Sequence, residues 1–433
     1  MNKYLLALLI LLIQPNLKAQ SVLKLQDVFE IALQNNFSIR VAKNDAETNK
    51  NNKQIGNAGM LPSVLGTVNQ DKQVVDSRQK FLSGTENNRK GAKSNSLNAN
   101  VELGWTLFNG MKMFATRNRL IELENIGNLR LKLQIENTLS RVAKAYYDVV
   151  LNKQLIQSSN TFIQISQKRL EVAEAKLAAG KSSKSEVLLA LVNLNSDRSQ
   201  LIRLQTQYKN SKLSLNQLMA KELSFDFETE DSIKPEADIK LEDIRPKAME
   251  MNTGLQISKS NQKANYLAYN EIRAERMPVV QLKTGYNFSN QTSQAGFLQS
   301  SNSSGFHYGA GLSMNLFNGF DVNRRINNAK LLMNSSELQY KDSLSKLEVA
   351  ITQAYNTYST NLELWKFEQN NLEVARQNFN IAMDQHNQGI ISSNDLRIAQ
   401  VNLVQNINRM LSSAYDAKLS EIELQRLSGG LIK

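Results

Sequence analysis

The two side chains that most often anchor nucleophilic and metal chemistry, cysteine and histidine, are nearly absent from this sequence. It contains no cysteine, which removes thiolate nucleophiles, a disulfide framework and a lipid-anchoring cysteine. Its two histidines, His307 and His386, lie far apart in sequence, too little material for a His-based metal site or a Ser-His-Asp triad. No glycine loop of the phosphate-cradling kind occurs, and most acids fall at helical positions. An enzyme is therefore disfavoured, and no cofactor or metal is expected. The acids that stand out do so by placement: Glu186 and Asp395 each follow a landmark glycine, Gly180 or Gly389, by six residues.

A twofold repeat sets the elements that position these acids. Leu107–Gly110 reads LFNG, and Leu316–Gly319 reads LFNG again. Each copy ends an alternating run, and no proline follows before Gly180 or Gly389. Asn36 corresponds to Asn252, Pro62 to Pro278, Ala145-Tyr146 to Ala354-Tyr355, and Val192-Asn193-Leu194 to Val401-Asn402-Leu403. Each half thus reads helix, strand, strand, long helix, return helix. The expected organisation is a signal peptide over 1–19, a first repeat over 20–220, an acidic inter-repeat segment over 221–243 and a second repeat over 244–433.

The first long helix is expected from about Met111 to Ala178, roughly 100 Å at 1.5 Å per residue. Ile135, Val142, Val149, Ile156, Ile163, Leu170 and Leu177 recur every seven residues, a narrow coiled-coil-like seam. The second seam is Leu344, Ile351, Tyr358, Trp365, Leu372 and Phe379, with His386 at the next heptad position. Helical patterning also covers Val28–Lys53, broken at Asn35-Asn36, and a return helix runs from about Ser185 to Met219. The glycines Gly180 and Gly389 break the long helices, with Ser182 and Ser183 as N-cap candidates.

The strands carry the membrane signal. Leu97, Ala99, Val101, Leu103, Trp105 and Leu107 point one way, and Ser96, Asn98, Asn100, Glu102, Gly104 and Thr106 the other. Val280, Leu282, Thr284, Tyr286 and Phe288 share a face, as do Phe306, Tyr308, Ala310, Leu312, Met314 and Leu316. Residues 63–70 alternate more weakly, and the polar stretch Gln70–Ser94 reads as a long exposed loop. One-sided strands of this length fit a transmembrane β-barrel, although a sheet packed on a soluble core alternates equally. Tyr4–Ile13 behind Lys3, with Leu17-Lys18-Ala19 before Gln20, has the layout of a cleaved signal peptide and is too short to span a bilayer as a helix. Export argues against nucleic acid as the partner for the net charge of +12, which is spread along helical faces rather than blocked. Four strands cannot close a barrel in lipid, so other copies of the chain must complete it; two copies give eight strands and three give twelve.

The repeat, P-x-V before a strand, LFNG after each second strand, AYY and AYN in the long helices, and the AAGKSS and NQGIISSND turns together resemble the outer membrane efflux protein (TolC) family across essentially the whole mature chain. The resemblance implies a mostly α fold with a membrane β-barrel: a homotrimeric 12-stranded outer-membrane barrel continued by a 12-helix periplasmic α-barrel, with two structural repeats per chain. It implies the exit duct of a tripartite efflux pump or type I secretion system. The partners would be a periplasmic adaptor, an inner-membrane transporter and outer-membrane lipid.

It also places Glu186 and Asp395 at the periplasmic aperture. Three copies of each would form acid rings that favour cations and raise the carboxyl pKa values. Ile398 stands where some members have a further acid, and His386 where some have a tyrosine. His386 beside Glu186 gives a pH-sensitive latch, or else simply ends the apolar seam with its polar edge in water. Gly180, Lys181, Ser182, Ser183, Gly389, Ile390, Ile391, Ser392 and Ser393 are expected at adaptor-docking tips, with Ile390-Ile391 as an exposed apolar pair. Asn109, Gly110, Asn318 and Gly319 are the strand–helix junctions, where Asn-Gly supplies backbone freedom. A secreted coiled-coil scaffold or a periplasmic adaptor without a barrel is the competing reading; it accounts for the heptads and leaves the strands unexplained.

Overall fold

The computed structural model describes residues 22–237, 239–296 and 298–431; the leader expected over 1–19 lies outside the described residues. The elements run β1 (Val22–Leu23), α1 (Leu25–Asn35), α2 (Phe37–Asn52), β2 (Ser63–Lys80), β3 (Glu86–Asn109), α3 (Lys112–Ala178), α4 (Lys184–Met219), β4 (Glu228–Thr229), α5 (Leu241–Met251), α6 (Thr253–Arg273), β5 (Val279–Ser293), β6 (Ser300–Ser313), α7 (Asp321–Asn387) and α8 (Ser393–Leu427). They form two compact units. One comprises Asp45–Leu129 and Ile257–Ser343, and the other the rest of the chain.

The first unit is built on a four-stranded antiparallel sheet of order β2-β3-β5-β6. Its register lines up one apolar face: Val64 and Val68, then Leu97 to Trp105, then Leu282, Tyr286 and Phe288, then Phe306, Tyr308 and Leu312. No described segment covers it, and Phe306 and Tyr308 are 69% and 84% exposed. The opposite face carries Asn98, Asn100, Glu102, Lys283, Asn287, Ser289 and His307, with Lys283 3.8 Å from Glu102. Period-two alternation, with the pleat sending successive side chains to opposite faces, is sufficient cause for this segregation.

Two strand expectations need correction. The polar stretch Gln70–Ser94 is not a loop: β2 continues to Lys80 and β3 begins at Glu86, in register apart from a bulge between Val75 and Ser77. Both faces are polar there, so no alternation betrays a strand that is held by cross-strand pairing; Asp76, at the bulge, accepts the Gly91 N–H at 2.7 Å. At the other end, β6 stops at Ser313, leaving Met314 and Leu316 outside it.

The two LFNG copies therefore sit differently. The first lies in β3, with the register shifting between Thr106 and Phe108, so that Leu107 is the bulged residue. The second follows its strand as a turn. The backbone solution after both is the same, two consecutive left-handed residues: Gly110 and Met111 at φ +70° and +69°, Gly319 and Phe320 both at +63°. Asn109 Oδ1 then accepts the Met113 N–H at 3.0 Å, capping α3. Glu275 ties together the starts of both long helices, pairing with Lys112 at 3.0 Å and with Arg325.

In the second unit the seam residues Val142, Val149 and Leu170 of α3 and Ile351, Tyr358, Leu372 and Phe379 of α7 are buried. One core joins Val142, Tyr146 and Val149 to Leu215 and Met219 of α4 and Val28 and Ala32 of α1. Another joins Phe162, Leu372 and Phe379 to Leu396 and Leu403 of α8. The repeat is maintained by a matched pair of asparagines at helix breaks. Asn36 Nδ2 donates to Leu218 O at 2.8 Å and Asn252 Nδ2 to Leu427 O at 3.0 Å, while each side-chain oxygen caps the following helix. The acidic segment after α4 is held by lysines: Lys212 on Asp226 at 2.7 Å, and Lys153 on Glu228 and Asp231, both at 2.8 Å. Within it β4 pairs in parallel with β1.

The unequal junctions give a direct test. A Cβ at Gly110 would stand 2.3 Å from Met277 Cβ and 2.6 Å from Ala274 O, whereas nothing lies within 4 Å at Gly319. Gly319→Ala should cost only the left-handed penalty of about 1–2 kcal/mol. Gly110→Ala adds a backbone clash and should abolish folded protein. Equal yields of the two variants would contradict this account of the junction.

Candidate functional site

The two helical hairpin tips are built alike. At the end of α3, the Gly180 N–H bonds Leu177 O at 3.0 Å and the Lys181 N–H bonds Lys176 O at 2.8 Å; at the end of α7, Gly389 bonds His386 O at 3.0 Å and Ile390 bonds Gln385 O at 2.9 Å. Gly180 and Gly389 have φ +69° and +77°, so both ends are Schellman caps closed by a left-handed glycine. Serines start the return helices. Ser183 Oγ accepts the Glu186 N–H at 3.3 Å, and Ser392 Oγ the Asp395 N–H at 3.2 Å.

The acids, equivalent in the repeat, diverge in their side chains. Asp395 turns back on its own cap, accepting from the Ser392 N–H at 3.1 Å and the Ser392 hydroxyl at 2.7 Å. Glu186 instead reaches across to the second hairpin. It accepts from Ser182 Oγ at 2.6 Å and from Ser393 Oγ of α8. His386 Nε2 lies 3.1 Å from the same Ser393 oxygen. Because the Ser393 proton goes to the carboxylate, its oxygen accepts from His386 Nε2–H. Glu186 and His386 therefore do not touch directly but share the Ser393 hydroxyl.

Within one chain, with no ring of copies present, both tip acids are held toward their charged form. Hydroxyl donation from Ser182 and Ser393 holds the Glu186 carboxyl below the usual glutamate range. The Ser392 hydroxyl and N–H do the same for Asp395. His386 is also pulled down, by burial first and then by the nearby Lys176 and Arg169 charges, with Glu186 opposing. The ring is therefore held toward its neutral form. Lys181 is exposed at the turn, and the isoleucine pair splits: Ile390 is 65% exposed while Ile391 packs on the core of Phe379 and Leu396. Packing one of the two inward removes the costly half of the exposed pair.

A second set of contacts between the hairpins went unseen in the sequence. Arg397 of α8 grips Asp197 of α4 with two bonds, 2.7 and 2.9 Å. Asp197 also accepts from Ser166 Oγ at 2.6 Å, and the Ser166 oxygen accepts from Gln400 Nε2 at 3.0 Å. Arg169 completes the web through Gln400 Oε1 at 2.9 Å and Ser393 O at 2.8 Å. Gln400 is fully buried, so these polar atoms have no water to fall back on. A void of about 20 Å³, room for one water, lies among Arg169, Lys176, Asn193, Glu186 and His386. The signal that finds this web is broken repeat symmetry: Asp197, Arg397 and Gln400 correspond to Asn406, Leu188 and Leu191. The arrangement fastens the two hairpins with bonds that break when a single carboxylate is lost. Asn109, Gly110, Asn318 and Gly319 belong to the sheet-bearing unit and shape the backbone there. Among the described residues, no three His, Asp or Glu side chains converge as a metal site.

The family model described as outer membrane efflux protein matches residues 28–221 and 246–430. Comparison with curated proteins gives no sequence match. Among solved structures, the chain is similar to the CmeC outer membrane channel of Campylobacter jejuni, at 16% identity over 94% of this chain and 86% of that one, with TM-score 0.80. It is similar to the outer membrane protein VceC of Vibrio cholerae, at 15% identity over 94% and 96%, with TM-score 0.77. The open state of the MtrE outer membrane channel of Neisseria gonorrhoeae gives 16% identity over 94% and 89%, with TM-score 0.73. At these identities the likeness is one of fold.

With only two histidines, selective ¹⁵N-histidine labelling isolates His386 in an NMR titration. His386 should titrate below the ordinary histidine value, lower still in Glu186→Gln, and higher in Lys176→Gln. Glu186 and His386 both have depressed values in the folded chain. Their contribution to tip stability is therefore present above the ordinary values and lost as pH falls through the lowered ones. A His386 that titrates above the ordinary value would contradict the assigned environment.

Proposed function

This chain belongs to the outer membrane efflux protein family, and from that premise we propose that three copies of it form the exit duct of a tripartite efflux pump or type I secretion system. The observation that carries the proposal is the sheet. Its one apolar face is uncovered, its other face is polar, and the edges β2 and β6 have no partner among the described residues. In hydrocarbon such edges are untenable, and closure by further copies gives a barrel whose polar face lines water. Three copies make twelve strands, wide enough for a conduit where eight would fill with side chains.

In this reading residues 1–19 direct export. The repeats 20–220 and 244–433, joined by 221–243, place the sheet in the outer membrane and the helical unit in the periplasm. Exposed apolar residues such as Val192 and Ile202 on α4, and Phe367 and Val374 on α7, suit packing between protomers and against partners. Docking of the periplasmic adaptor, and through it the inner-membrane transporter, falls to the tips: Gly180–Ser183 and Gly389–Ser393, with Ile390 as the apolar anchor. The conduit is passive, and its resting closure is held by Glu186–Ser393–His386 and Asp197–Arg397. The scaffold or adaptor reading has no use for a one-sided sheet and is disfavoured by it.

The protein should resist high-salt extraction, require detergent, and run as a trimer. In planar bilayers, Arg397→Ala combined with Ser393→Ala should raise single-channel conductance several-fold, since it removes the partly buried, two-bonded tie to Asp197 and the Ser393 hydroxyl bond to Glu186 together. Salt extraction without detergent would refute the duct, and an unchanged conductance would refute the closure.

A further inference from the structure

The apolar face of the sheet ends abruptly toward the β2–β3 and β5–β6 loops. On β3, Leu97 to Leu107 mark an apolar stretch of roughly 34 Å along the strand, which at a 45° tilt matches an apolar band about 25 Å tall. Continuing on the same face, the next residues are Asn95 and Lys93; on β2 they are Gln70, Lys72 and Val74; on β5, Asn290 and Thr292; on β6, Asn302 and Ser300. Lys72 lies opposite Asn95, and Lys93 opposite Val74. The two lysines are thus diagonal neighbours on one face, rooted roughly 7–8 Å apart.

Between them is an open depression of about 550 Å³ with Asn95, Thr292, Gln294 and Ser300 also on its wall, and no Asp or Glu lines it. The wall is pre-set by its own hydrogen bonds. Gln294 Oε1 accepts the Lys93 N–H at 3.1 Å, and Gln70 Nε2 donates to Asn95 Oδ1 at 3.3 Å. The nearby cations Arg78 and Lys80 are taken up by Glu86, at 3.4 and 3.3 Å. Neither Lys72 nor Lys93 has a carboxylate partner among the described residues. Two unpaired ammoniums on flexible stems, ringed by amide and hydroxyl donors, form an anion site of phosphate type.

We propose that this depression binds the phosphate-bearing headgroup of an outer-leaflet glycolipid, with Lys72 and Lys93 contacting the phosphate. Position selects lipid over free phosphate. The lysines face the same side as Val101, Tyr286 and Phe306, not the polar side, and begin where the apolar band stops. A headgroup whose acyl chains lie along that band reaches them without leaving the membrane. The inference rests on the duct reading, which puts the apolar face in lipid and the strand loops outside the cell.

The test uses the purified full-length oligomer and native mass spectrometry, with bisphosphorylated glucosamine lipid, its dephosphorylated form and inorganic phosphate as probes. The wild type should retain the bisphosphorylated lipid at least ten-fold better than the dephosphorylated one. Lys72→Gln/Lys93→Gln should lose that preference, Lys72→Arg/Lys93→Arg should keep it, and Lys283→Gln on the polar face should leave it unchanged. Millimolar inorganic phosphate should not displace the lipid. Equal retention of both lipids by the wild type, an undiminished preference in the double glutamine variant, or displacement by inorganic phosphate would each overturn the site. If the glutamine variant fails to assemble, the wild-type lipid comparison and the arginine variant still decide. A chain absent from the outer-membrane fraction would instead defeat the duct reading, since the lipid titration in detergent is independent of it.

Discussion

An edge strand leaves backbone N–H and C=O groups without partners, and hydrocarbon offers no water to replace them. The four-stranded sheet of this chain has two such edges among the described residues, β2 and β6, on either side of a face that no described segment covers. The other choices in the sheet unit follow from closing those edges. The strands must be one-sided, the turns into the helices must be tight enough to keep the chain at the rim, and the copies must meet edge to edge. The paired left-handed residues at Gly110-Met111 and Gly319-Phe320, and the Glu275 clamp on both helix starts, are the local means of meeting the second demand.

The helical unit answers a different constraint. Long helices with narrow apolar seams are packed by Val142, Val149, Ile351 and Phe379, but a seam that repeats every seven residues does not fix which hairpin lies against which at the tip. Polar links do that. Asp197–Arg397 and Glu186–Ser393 join the first hairpin to the second, and each needs its acceptor ionised or its donor in place. Phe162 already packs across to Leu372, Phe379 and Leu396 of the second hairpin, and the hydrogen-bonded carboxylates add the directional contacts that an apolar seam lacks.

How far the sequence spoke depended on which signal carried each element. The strand from Leu97 to Leu107 was legible because one face is apolar, and the heptads and glycine stops were legible because they repeat. The strands through Gln70–Ser94 were not, since polar residues on both faces erase the period. At the tips, Glu186, Asp395 and His386 were found by position, but Arg169, Asp197, Arg397 and Gln400 were missed because a search for similarity between repeats passes over the places where the repeats differ. Those differences, an aspartate against Asn406 and an arginine against Leu188, are where the two hairpins become complementary rather than alike.

In the trimer, β2 of one copy pairs with β6 of the next until twelve strands close. The chain has no native cysteine, so a cysteine at Val68 on β2, combined in turn with one at Ser304, Phe306, Tyr308 or Ala310 on β6, gives a clean cross-linking readout in isolated outer membranes. The account predicts that at least one pair yields a ladder of covalent dimers and trimers that stops at three. Cross-links confined to single chains, or a ladder that stops at two or runs past three, would contradict it.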